Sequence, residues 1–352
     1  MRVRFGVAAL LLSLPAWSVA GWGQLAPSPD APPASTAPVS EHEPAATFKV
    51  NVNLVDVFFT VRDKDGRLVA HLTGDDCTVT EDQAPQKLKS FAAETSQPLT
   101  LGILLDTSGS QYRVLAKEQE AGDRFLEQVL KAKDEAFLLT FDVNVYLLQD
   151  ITGDMQLLSR GMNKAEINTA GGNGAAGTPG AGGGTIPTIG KPKGTLLNDA
   201  VYLAASQVMN QETGRKAMIL LTDGQDEGSK TKIGEAIAAA QKSNVPVYVI
   251  LIADRSFYAD VGFGDLGYRG YSAMKKMTEE TGGRLIDVGN NSKKLEEAFQ
   301  QIEDELRTQY VASYTPSNAK LDGDFRRLGV ECRGDGMKVQ VRKGYFATPP
   351  SN

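Results

Sequence analysis

Apolar and polar positions alternate along this chain with two different periods. In the middle, short and mostly apolar runs, Leu101–Leu105, Glu135–Phe141, Lys216–Thr222 and Val245–Ile252, are separated by stretches with helical spacing. Runs of this length read as strands buried on both faces. Between them Phe125, Leu126, Val129 and Leu130 mark one helix, Leu197, Val201, Ala204 and Val208 a second, and Ile233, Ile237 and Ala240 a third. A short helix around Ser272–Thr281 precedes a strand at Arg284–Val288. A last helix, expected to be capped by Ser292, buries Leu295, Phe299, Ile302 and Leu306. Val143–Leu148 follows Glu135–Phe141 so closely that the two form a hairpin. Alternating strand and helix predicts an α/β, doubly wound, mostly parallel sheet.

The two ends of the chain carry a period of two instead. Val57–Val61 runs into the turn Asp63-Lys64-Asp65-Gly66. Cys77–Thr80 and Lys87–Phe91 follow as further strands. These residues are few for an independent core. Val311–Thr315, Phe325–Cys332 and Met337–Val341, near the other end, offer the missing strands. The expectation is one small β-sandwich built from N- and C-terminal segments, 47–97 pairing with 309–348. It flanks a central domain at 98–308.

Residues 1–20 have the pattern of a signal peptide. Arg2 and Arg4 precede the apolar core Phe5–Leu14, and Ser18-Val19-Ala20 is a small-residue cleavage site. The core is too short for an ordinary membrane span, and no second run is long enough. Residues 21–46, rich in Pro, Ala and Ser, read as a disordered linker. The expected location is periplasmic or secreted. Cys77 and Cys332, the two cysteines of the chain, fall one in each β segment. In an exported protein a disulfide between them persists, although two buried thiols are the alternative. A net charge of −6 argues against nucleic acid as a partner. With only two histidines, His42 and His71, a histidine-based triad or metal site is not expected.

Candidate chemistry lies where the run Leu101–Leu105 breaks off at Asp106-Thr107-Ser108-Gly109-Ser110. In open α/β sheets, ligands bind beyond the carboxyl ends of strands. Asp106, Ser108 and Ser110 put three hard oxygens there, suited to Mg²⁺, Mn²⁺ or Ca²⁺. This pattern resembles the metal-ion-dependent adhesion site of von Willebrand factor A (VWA) domains. Two further pieces match: Thr195, ahead of the second helix, and Asp223, at the end of the run Ala217–Thr222. The resemblance implies a six-stranded, Rossmann-like sheet with one antiparallel edge strand. It also implies Ser108, Ser110 and Thr195 as direct ligands, with Asp106 and Asp223 as charge partners. Neutral hydroxyls leave the ion electrophilic, so a partner protein offering an acidic side chain would complete its shell. The phrases Asp63-Lys64-Asp65-Gly66, Thr78–Asp82, Tyr314-Thr315-Pro316 and Arg342–Tyr345 further resemble the exported VWA-related proteins of Acidobacteria.

Two loops border this site. Thr169–Pro192 is nearly all Gly, Ala, Thr and Pro and reads as a structureless insertion. Arg255–Tyr271 carries Phe257, Tyr258, Phe263 and Tyr268, candidate partner contacts. Enzyme readings fail on particular residues. The Gly of Asp106-Thr107-Ser108-Gly109 is one place late for an aspartic protease. Ser108 stands where a haloacid-dehalogenase-like phosphatase needs a second Asp. The glycine run lacks the Gly-Lys-Ser/Thr ending of a P-loop. Arg333-Gly334-Asp335 falls where a hairpin turn is expected. The sequence thus points to a non-enzymatic, metal-dependent binding module, with an envelope scaffold whose metal only rigidifies loops as the alternative and a hydrolase as a third, less favoured reading.

Overall fold

The structure, a computed structural model, describes residues 54–93, 97–168, 185–186, 194–252 and 270–349, with backbone alone at 185–186. The signal-peptide and linker segments lie outside them. In chain order, β1 (Val55–Arg62), β2 (Cys77–Glu81), β3 (Ala84–Pro85) and β4 (Leu88–Ala93) come first. The central strands follow: β5 (Leu99–Asp106), β6 (Glu135–Phe141), β7 (Val145–Thr152), β8 (Thr185–Ile186), β9 (Arg215–Thr222), β10 (Val247–Leu251) and β11 (Leu285–Asp287). The chain returns to β-structure in β12 (Tyr310–Tyr314), β13 (Phe325–Cys332), β14 (Lys338–Val341) and β15 (Gly344–Phe346).

The central sheet has the order β11-β10-β9-β5-β6-β7-β8. Strands β11 through β6 are parallel, and β7 pairs antiparallel with β6. This is the expected six-stranded sheet with its antiparallel edge. Beyond that edge, the two-residue β8 pairs antiparallel with β7, so the Gly-rich insertion contributes a strand at Thr185–Ile186. Every residue of β5 is buried, as a strand covered on both faces requires. On one face Leu101, Ile103 and Leu105 pack with α1 (Leu115–Val129) and the C-terminal helix Ser292–Arg307. There Phe125 stacks on Phe299 with ring centres 4.7 Å apart. On the other face Leu104, Leu139 and Leu220 pack with α3 (Leu197–Leu203) and α4 (Ile233–Lys242).

Two local details differ from the sequence reading. A helix not anticipated from the pattern, α2 (Met155–Met162), is started by Asp154, whose carboxylate accepts from the backbone N–H of Gln156 and Leu157. The C-terminal helix is capped by Asn291, not Ser292. Asn291 keeps an extended backbone and accepts from Lys294 N–H, while Ser292 is already helical.

The ends of the chain interleave as expected. One four-stranded sheet has the order β14-β1-β12-β4, the other β15-β13-β2-β3. Val57 pairs with Ala312 and Val61 with Val339. Between the sheets lie Val57, Phe59, Val79, Tyr310, Tyr314 and Val330. Cys77 and Cys332 face each other on β2 and β13 and are joined by a disulfide. Glu81 accepts hydrogen bonds from the hydroxyls of Tyr314 (2.6 Å) and Tyr345 (2.8 Å) inside this core. Arg333-Gly334-Asp335 lies in the turn from β13 to β14, with Gly334 at φ 132°.

Candidate functional site

Strands β5 and β9 are adjacent and parallel, with Leu105 opposite Leu221. Their carboxyl ends therefore open on one edge of the sheet, and each delivers an acid there. Asp106 is the last residue of β5 and has no exposed surface. Its Oδ1 accepts from Ser108 N–H at 3.0 Å, and its Oδ2 from the Thr222 hydroxyl at 2.6 Å. Asp223, also buried, follows β9 and holds its own loop by accepting from Gln225 N–H at 3.0 Å. Burial first, and the Asp223 carboxylate second, push Asp106 up to about 7. Two acids are thus forced together at the point where the strands end.

The turn after β5 adds the hydroxyls. Ser108 has an extended backbone before the short 3₁₀ turn Gly109–Gln111. That geometry brings Ser108 Oγ within 3.0 Å of Ser110 Oγ. Thr195 approaches the same edge between two loops. Glu227, beyond Asp223, donates its N–H to the Thr195 carbonyl at 2.8 Å. Leu196 N–H reaches the Asp142 carbonyl at 2.8 Å. The Asp142 carboxylate accepts from Thr107 Oγ1 at 3.1 Å, which ties this loop to the Asp106–Ser110 turn. Gly194 makes the close approach possible. Its φ is +61°, and a Cβ there would lie 2.4 Å from the Glu227 Cβ. The loop after β9 is fastened to α3 as well, because Asp199 accepts from the N–H groups of Lys230 and Thr231.

The structure therefore joins Asp106, Ser108, Ser110 and Asp223 in one cluster and holds Thr195 on the same rim. Phe257, Tyr258, Phe263 and Tyr268 lie outside the described residues. Among the described residues no three Asp, Glu, His or Cys side chains converge closely enough to hold one ion. Any cation here would have to draw on hydroxyl groups, the donors that Ser108, Ser110 and Thr195 carry. All these atoms are hard oxygens, which fits Mg²⁺, Mn²⁺ or Ca²⁺ and not a soft metal.

Three residues escaped the sequence reading. Tyr112 is 71% exposed, just past the serine turn. Gln111 is buried beneath that turn. Glu118, on α1, has no exposed surface. A signal for Glu118 was present: it sits on the face defined by Leu115, Gly122, Phe125 and Val129, where an acid is out of place. Burial, then Asp106 and Asp223, hold its carboxyl well above the usual range.

Residues 187–301 match the family model of the von Willebrand factor type A domain. The matched stretch runs through β9, β10 and β11 of the doubly wound sheet. The match contains Thr195 and Asp223, while β5 and its Asp-Ser-Ser turn lie ahead of it. Among solved structures, BatB of Bacteroides thetaiotaomicron is similar at 19% identity, covering 59% of this chain and 99% of that one, with a TM-score of 0.41. A von Willebrand factor type A protein of Catenulispora acidiphila is 12% identical over 86% of this chain and 75% of that one, TM-score 0.45. The vWF domain of the type V pili tip protein Mfa5 of Porphyromonas gingivalis is 12% identical over 60% and 96%, TM-score 0.41. No curated protein matches the sequence.

Proposed function

We propose that this protein is an exported, non-enzymatic binding module that docks a partner protein through a divalent cation. Ser108, Ser110 and Thr195 would hold the ion directly, with Asp106 and Asp223 supplying charge. The observation that carries this reading is the pairing of a fully buried Asp106 with the buried Asp223 beside two serine hydroxyls 3.0 Å apart. Massed carboxylates are unfavourable by themselves and favourable around a dication. Mg²⁺ suits the site because it retains open or water-filled positions, one of which an acidic side chain of the partner would take. Tyr112, exposed on the rim, is placed to contact that partner and favours docking over a purely rigidifying role.

Export is supported by the N-terminal pattern and by the Cys77–Cys332 bridge, since disulfides persist outside the reducing cytosol. Among the described residues no helix is long and apolar enough to cross a membrane. The test is capture of a partner from the native envelope fraction in Mg²⁺, repeated in EDTA and with Thr195→Ala. Capture lost in both cases supports docking through the ion. Capture unaffected by chelator would refute it.

A further inference from the structure

Most buried acids among the described residues are compensated. Glu305 is met by Arg62, Arg284 and Gln340. Glu81 is met by two tyrosine hydroxyls. Asp134 accepts from the backbone N–H of Leu99 and Lys131. Glu118 is different. Among the described residues two buried carboxylate oxygens have no hydrogen-bond partner, Glu118 Oε2 and Asp123 Oδ1, and only Glu118 belongs to a fully buried residue. An ionised carboxylate without a partner in an apolar setting is costly.

The surroundings of Glu118 show what would offset that cost. With its amide nitrogen toward Glu118, Gln111 donates to Oε1 at 3.3 Å and accepts from Asp223 N–H at 3.2 Å. Gln111 thus links Glu118 on α1 to the acid that ends β9. The charges that act on Glu118 are those of Asp106 and Asp223. Three acids from three elements are gathered behind one rim, yet they do not converge closely enough to share an ion as direct ligands.

We propose that Glu118 is a positioning carboxylate of the cation site, acting from behind Asp106 and Asp223 and fixing the Asp223 loop through Gln111. This rests on the metal reading above. Glu118 adds negative potential where the dication sits, and the arriving ion relieves the mutual repulsion of the three acids. Outer groups of this kind commonly change metal affinity by about 10–100-fold. A Glu118 that is merely a neutral core acid would leave metal binding untouched when replaced by its amide.

The experiment is calorimetric titration of the full mature chain with Mn²⁺ and with Mg²⁺, comparing wild type with Glu118→Gln. Thermal melting in EDTA serves as a second readout. The expected result is about 10–100-fold weaker binding of both ions, with a chelated melting temperature no lower than wild type. Unchanged affinity in a folded Glu118→Gln chain overturns the role of Glu118 and leaves the metal site standing. Absence of binding in wild type overturns the metal reading and this inference with it. Should Glu118→Gln fail to fold, Gln111→Leu tests the same link: weaker binding supports it, and unchanged binding overturns it.

Discussion

Arg62 and Glu305 are 243 residues apart in the chain and 2.5 Å apart in space. Arg62 ends β1 of the sandwich, and Glu305 lies in the last turn of the helix Ser292–Arg307 of the α/β domain. Arg284 donates to the same carboxylate oxygen at 2.8 Å, and Gln340 donates to its other oxygen at 2.9 Å. The Glu305 side chain has no exposed surface. One buried acid therefore joins the sandwich to the α/β domain. Removing one member of a buried, hydrogen-bonded ion pair strands its partners and costs about 3–5 kcal/mol. Glu305→Ala should lower stability by about that amount, measured as a shift of the urea midpoint.

The Cys77–Cys332 bridge closes a loop with a sequence separation of 255. Cross-links over long loops restrict the unfolded chain most, with typical stabilisation of about 2–4 kcal/mol. The double substitution Cys77→Ser, Cys332→Ser should lower the melting temperature, and wild type in reductant should match it. Mass spectrometry of the unreduced protein should show the two peptides cross-linked. Finding both thiols free to alkylate would contradict the bridge.

Asp106→Asn keeps the acceptor for Ser108 N–H and removes the charge. Mn²⁺ and Mg²⁺ affinity should fall by about 10–100-fold, the usual cost of losing a group that supports the direct ligands. Thermal melting in EDTA checks that the variant still folds once the Thr222 hydroxyl has lost its acceptor. Retained metal affinity by calorimetry would count against the ligand assignment.

Gly194→Ala tests the rim without touching a ligand. The added Cβ would collide with Glu227 at 2.4 Å, in a backbone region that L-residues rarely adopt. Thr195, the next residue, should shift with it. Metal affinity should fall while the β-sandwich, remote from this loop in the chain, keeps its near-ultraviolet tyrosine signal. An unaltered titration would show that the loop accommodates the methyl group freely.

Alkaline pH should unfold this protein through its tyrosines. Burial first, and donation to Glu81 second, hold Tyr314 and Tyr345 above the ordinary tyrosine value. An acid whose folded pKa exceeds its unfolded value of about 10 keeps its full contribution below that pH. The contribution is lost as pH rises above 10 toward the folded value. Stability should therefore hold to about pH 9 and decline beyond pH 10. Tyrosinate absorbance of these residues should appear only with unfolding. A simple titration near pH 10 in the folded state would refute the assignment.

The central sheet was legible because buried parallel strands are continuous apolar runs, as in Leu101–Leu105. The acids at 106 and 223 were legible because those runs stop on them. The pairing of the two ends followed from β segments too small to stand alone. Glu118 was hidden among its charged neighbours in Lys117-Glu118-Gln119-Glu120; only its register with Phe125 and Val129 marks it as buried. Helix α2 was missed because eight residues show barely two turns of periodicity, although Asp154 marked its start. The cap at Asn291 differed from Ser292 by one position, since both residue types cap well and only backbone geometry separates them.

Strand β1 has its partners, β12 and β14, on the far side of the α/β domain in sequence. A ribosome must add about 250 residues after Arg62 before Tyr310 exists. At roughly 5–20 residues per second, β1 waits on the order of ten to fifty seconds without either of these strand partners. The ladder of β1 can therefore close only once the C-terminal segment has been made, and assembly of the sandwich comes last.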